Sequence, residues 1–186
     1  MVRMSRKSIR NRRRSRVGGA SEESLYNAIR NNNIDKIEEI LANNPNATTE
    51  ENPDGALPLH YAALYNINHD IFAKILNANP EAAQKTDNND EYPIHYAAKC
   101  DDGENPLNHN LNLRMLYHAN TPGTWQKNKD GESPLKLALI WSNFPSAIAF
   151  LYIGEFVLNS SGDSSESNVN NVLKETGQLL IQLSKT

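Results

Sequence analysis

Cysteine is almost absent. A single one, Cys100, in 186 residues rules out an intrachain disulfide, argues against a secreted fold stapled by bridges, and leaves a reducing compartment as the default. The signatures of common chemistry are also missing: there is no phosphate loop, no HExxH and no nucleophile elbow. Long apolar runs are scarce too. The one candidate, the 18 uncharged residues LALIWSNFPSAIAFLYIG at 137–154, is interrupted by Ser142, Asn143, Pro145 and Ser146, which a span through hydrocarbon would not tolerate. It reads instead as two successive helices with a turn at 142–145. No signal-peptide core is seen.

Acidic residues are missing from the first 16 positions, which hold eight basic groups: Arg3, Arg6, Lys7, Arg10, Arg12, Arg13, Arg14 and Arg16. The formal net charge of −3 therefore conceals a basic tail, residues 1–20, on an acidic body. Three readings of RKSIRNRRRSRVGG stay open. It is a solvated, disordered tail, a nuclear-import or nucleic-acid-contacting segment working through Arg10, Arg12, Arg13, Arg14 and Arg16, or an organelle transit peptide.

What the chain does have is recurrence. LPLHYAAL at 57–64 returns as YPIHYAAK at 92–99, placing Pro93 35 positions after Pro58, and Pro45 and Ala47 reappear at Pro80 and Ala82. A fixed period in the thirties marks an elongated array rather than an enzyme core. Each unit keeps one order: a turn (NPDG at 52–55, NNDE at 88–91, NKDG at 128–131), a helix opened by Pro58, Pro93 or Pro134, a second helix, and an exit. Proline suits the first helical turn, where its missing N–H had no intrahelical partner. The second helices carry apolar stripes: Ile34, Ile37, Ile40 and Leu41; Ile71, Phe72, Ile75 and Leu76; Leu111, Met115 and Leu116. The third unit holds about five extra residues, expected as a loop near 101–110.

PLHYAA at 58–63, PIHYAA at 93–98 and the weaker PLKLAL at 134–139 resemble the T-P-L-H-x-A-A signature of ankyrin repeats. The fold expected is all-α: a solenoid of about four helix-turn-helix repeats over 21–158, with units near 22–55, 56–90, 91–131 and 132–158. A polar linker at 159–167 and an amphipathic helix at 168–186 follow. In that helix Val169, Val172, Leu173, Thr176, Leu180 and Leu183 make a stripe that either caps the array or docks to another protein. The family's threonine is Leu57 and Tyr92 here, and where Ser133 keeps a hydroxyl the histidine has become Lys136. The hydroxyl–imidazole network is thus incomplete in every unit.

His60 and His95 read as structural, and Cys100 has no activating partner in the sequence. His109 and His118 flank an expected helix, and Asp101, Asp102 and Glu104 match no calcium loop. No cofactor, metal or catalysis is expected. The resemblance implies a protein partner held on the concave side. The positions after the small-residue pairs are Arg30 and Asn31, Leu64 and Tyr65, Lys99 and Cys100, and Ile140 and Trp141. The turn tips add Asp54, Asn88, Asn89, Glu91, Lys129, Asp130 and Glu132, an acidic rim suited to a basic partner segment. Tyr65 and Trp141 are the residue types that dominate interfaces. The chain is read as an intracellular monomer, cytoplasmic or nuclear with organelle targeting left open, and nucleic acid would be met through the tail only.

Overall fold

The structure, a computed structural model, describes residues 24–100 and 106–141. Outside that range lie the basic tail, the acidic stretch at 101–105, the rest of the 137–154 run, the linker and the C-terminal stripe. Every helix and strand assignment among the described residues is helical.

Three helix pairs stand in chain order: α1 Leu25–Arg30 with α2 Ile34–Asn43, α3 Pro58–Leu64 with α4 His69–Ala78, and α5 Pro93–Ala98 with α6 Pro106–Ala119. A further first helix, α7, runs Pro134–Trp141. Short 3-10 turns at Pro45–Thr49, Pro80–Gln84 and Pro122–Thr124 follow the second helices. Side-chain oxygens cap several starts: Ser24 Oγ accepts from Asn27 N–H at 3.3 Å, Asn33 Oδ1 from Lys36 N–H at 3.2 Å, and Asn68 Oδ1 from Asp70 N–H at 2.9 Å. Between the helices of the first two pairs, Asn32 and Asn66 adopt positive φ, 51° and 47°, the left-handed exit that asparagine tolerates after a helix.

The first helices α1, α3, α5 and α7 pack side by side, and α2, α4 and α6 form a second row against them. Close approach in the first row depends on small residues: Ala62, Ala63, Ala97 and Ala98 are all buried. Between the rows lie Leu25, Ile29, Ile37, Leu59, Phe72, Ile75, Ile94, Leu113, Leu116 and Leu137. Burying each such side chain contributes about 1.5–3 kcal/mol, and neighbouring units pack against one another along both rows of helices. That is why one pair alone would not hold.

The third unit departs from expectation in two ways. Asn79 and Asn120 occupy the same position after α4 and α6, each donating to a carbonyl of the preceding unit, so the excess over the 35-residue period is six residues. Nor is the excess all loop: α6 has 14 residues against 10 in α4, so part of it lengthens the helix. His109 and His118 both lie on that helix rather than flanking it, the first buried and the second exposed. The α6 stripe is also rotated. His109, Asn112, Leu113 and Leu116 are buried, while Leu111 and Met115 are only half-buried.

Candidate partner-binding face

The turns are built alike by one side chain each. The Oδ1 of Asn52 accepts from the N–H of Asp54 (3.0 Å) and Ala56 (2.9 Å); Asp87 does so from Asn89 (2.8 Å) and Glu91 (2.9 Å), and Asn128 from Asp130 (3.1 Å) and Glu132 (2.8 Å). Each turn then needs a residue at positive φ: Gly55 at 75°, Asp90 at 59° and Gly131 at 73°. Neighbouring turns are bonded to one another, Asn88 N–H to Asp54 O at 2.9 Å and Lys129 N–H to Asn89 O at 3.0 Å.

Two histidines tie each turn to the helix behind it. Leu57 N–H donates to His60 Nδ1 at 3.1 Å, and Tyr92 N–H to His95 Nδ1 at 3.1 Å. Because a backbone N–H can only donate, each Nδ1 is the acceptor and each Nε2 carries the proton. Nε2–H then donates forward along the array, from His60 to Glu91 O at 3.1 Å and from His95 to Gln126 O, just ahead of the turn at 128–131, at 3.0 Å. Burial lowers both imidazoles to a pKa of about 4. So the network missing its hydroxyl at Leu57 and Tyr92 keeps its imidazole half. The unit of Lys136 keeps the other half, Ser133 Oγ accepting from Lys136 N–H at 3.3 Å.

An aromatic row crosses the first helices with the same period. Tyr26 meets Tyr61 edge-on at 4.3 Å between centroids, and Tyr61 meets Tyr96 at 5.7 Å. Tyr65 stacks on Tyr61 at 6.2 Å. The hydroxyls reach back to the turns: Asn52 Nδ2 donates to Tyr61 Oη at 2.9 Å, and Tyr96 O–H donates to Asp87 Oδ2 at 2.8 Å. Burial, reinforced by Asp87, holds the Tyr96 phenol above its ordinary range. At the end of the row Lys99 Nζ lies 4.6 Å from the Tyr96 ring centre and donates to Glu91.

The expected contact residues divide accordingly. Arg30, Asn31, Asn88, Asn89, Lys129, Asp130 and Ile140 are exposed. Asp54, Leu64, Tyr65, Glu132 and Trp141 are half-buried, with Leu64, Tyr65 and Trp141 also packed against the core. Lys99 is half-buried and engaged by Glu91 and Tyr96. Two residues do not reach the surface. Cys100 is fully buried, two residues past the end of α5 at Ala98, which comes one residue earlier in its unit than the end of α3. Glu91 is buried because Asp87 holds its N–H, and its carboxylate accepts from Asn128 Nδ2 at 2.9 Å beneath the next turn. The basic residues Arg10, Arg12, Arg13, Arg14 and Arg16 lie outside the described residues.

Several structural asparagines escaped the sequence reading. Asn79 Nδ2 donates to Thr48 O at 3.1 Å and Asn120 Nδ2 to Ala83 O at 2.8 Å, while Asn112 Nδ2 donates to Ile67 O at 2.9 Å and its Oδ1 lies 3.1 Å from His69 Nδ1. The 35-residue recurrence of Asn44 at Asn79 was the available signal for the first of these.

Among the described residues no helix is long and apolar enough to cross a membrane. A family model described as ankyrin repeats (3 copies) matches residues 25–106, from the first residue of α1 to the first of α6. No curated protein matches the chain. Ankyrin repeats serve in general as protein–protein interaction modules. With the period, the proline-opened helices α3 and α5 and the histidine bonds all in place, residues 25–106 carry the pattern of ankyrin repeats.

Proposed function

We propose that the chain is a non-catalytic adaptor of four repeats that holds a partner protein on the face made by its first helices and turn tips. The observation that carries this reading is the apolar and aromatic character of two first-helix ends: on α7 Ile140 is 51% exposed next to half-buried Trp141, and two helices away half-buried Tyr65 ends α3. Side chains of this kind at a surface mark contact sites. The tips contribute exposed Asp90 and Asp130 and half-exposed Asp54, which suits a partner segment carrying basic residues. Carried to the end of the array, α7 opens the unit at 132–158.

The test is retention of specific proteins from cell extract by the full chain, beside Tyr65→Ala/Trp141→Ala and, separately, Ile140→Ser. Tyr65 and Trp141 also pack on the core, so circular dichroism must show that the double variant is folded; Ile140→Ser removes exposed surface with little effect on folding. Loss of the same proteins by both variants supports the reading, and undiminished retention by both sinks it. A second reading rests on the eight basic groups and no acid in the first 16 residues: the tail contacts nucleic acid. In that case salt-sensitive binding to duplex or single strands disappears on deleting residues 1–16.

A further inference from the structure

Two of the bonds that hold the helices to the turns run through imidazole rings whose geometry admits only one protonation state. His60 is fully buried, its Nδ1 filled by Leu57 N–H and its Nε2–H spent on Glu91 O. His95 repeats this with Tyr92 N–H and Gln126 O. A proton added at Nδ1 would set N–H against N–H at 3.1 Å, and both rings are closed off from the solvent that could take up the displaced donor.

We propose that His60 and His95 form a proton-operated latch: as neutral rings they fasten α3 and α5 to the chain beside the next turn, and protonation releases it, so that the stack between residues 56 and 131 loosens in acid. The inference is independent of what the outer face binds. The groups around the rings are few. His60 faces the Asp87 carboxylate and, edge-on at 5.1 Å, the Tyr96 ring; His95 faces the Glu91 and Asp87 carboxylates, the Lys99 ammonium and the Tyr92 ring stacked at 5.9 Å. The carboxylates favour the proton, but desolvation outweighs them and both rings sit at about 4 against 6.5 for free histidine. A histidine lowered in this way contributes its full stability above the unfolded value near 6.5. That contribution is lost as the pH falls toward the folded value, because the unfolded chain takes up the proton first. His109, also lowered to about 4 by burial, adds to the loss without belonging to the latch.

Urea unfolding of the full chain between pH 7.5 and 5.0, where most carboxylates remain ionised, reads the effect. Each latch histidine should lower the folded-to-unfolded ratio by close to tenfold per pH unit below about pH 6, and His60→Gln or His95→Gln should each remove about that much of the slope. Glutamine offers both an acceptor and a donor but does not titrate. Should the variants not fold, nitrogen NMR of the histidines in the unmodified chain decides. Rings that stay in the Nε2–H form down to pH 5 support the latch. A ring that titrates near 6.5, or a glutamine variant with the original slope, overturns it.

Discussion

Asn88 sits against the Cα of Gly55 in the neighbouring turn: a β-carbon on Gly55 would fall 2.7 Å from Asn88 Oδ1 and 3.2 Å from its backbone nitrogen. Gly131 has almost the same φ, but nothing lies within 4 Å of the corresponding point. The two glycines therefore separate two costs that usually arrive together. Gly131→Ala should lose about 1–2 kcal/mol for the left-handed backbone alone. Gly55→Ala should lose about 1–2 kcal/mol more, because Asn88 must shift and its bond to Pro53 O at 3.3 Å is disturbed. Urea unfolding of the pair checks this; equal losses would mean that the turns are not in contact.

Asp90 stands where the flanking turns have glycine, at φ 59°. Asp90→Gly relieves about 1–2 kcal/mol of left-handed strain against about 0.5–1 kcal/mol of added chain entropy. A small gain in stability is expected, seen as a higher urea midpoint with unchanged slope, and a loss would refute the account of this turn.

Glu91, Lys99 and Asn128 join two units through a buried carboxylate. Lys99→Met should cost about 2–3 kcal/mol, short of the ~3–5 kcal/mol for a fully enclosed pair because the lysine retains some solvent. Adding Glu91→Gln should recover much of that loss. A double variant as unstable as the single would show that the charge was never the cause.

Tyr96→Phe takes a donor from the buried Asp87 carboxylate, and Tyr61→Phe takes an acceptor from the neutral Asn52 amide. The first should cost about 1.5–3 kcal/mol and the second about 0.5–1.5 kcal/mol. Thermal unfolding ranks them, and the reverse order would contradict the contacts described.

The period and helix order were open to reading because proline and alanine at fixed spacing have local causes: Pro58 and Pro93 need a first helical turn, and Ala62–Ala63 need a close neighbour. Burial at unit boundaries was not. Nothing local tells Glu91, held by its backbone beneath the next turn, from the exposed Asp90 beside it. Asn112 looks like a surface residue until its amide is seen filling Ile67 O, and its burial beside Leu113 and Leu116 shifts the buried stripe of α6 away from Leu111 and Met115. Cys100 follows its small-residue pair much as Tyr65 does, yet it is fully buried where α5 has already ended at Ala98.

The six extra residues of the third unit show where this architecture accepts change. The asparagine bond lengthens from 31 residues at Asn79–Thr48 to 37 at Asn120–Ala83, and the bond between neighbouring turns from 34 at Asn88–Asp54 to 40 at Lys129–Asn89, whereas His95 keeps the 31-residue reach of His60 and so meets Gln126 ahead of its turn, not the residue equivalent to Glu91. The added length is confined between His95 and Asn120, and the asparagine and turn contacts are kept. A chain fastened only to its nearest neighbours can thus be edited one unit at a time. Insertions between the two helices of a unit should be the inexpensive ones, and even a single residue added between Asn52 and His60 or between Asp87 and His95 should break the stacking register.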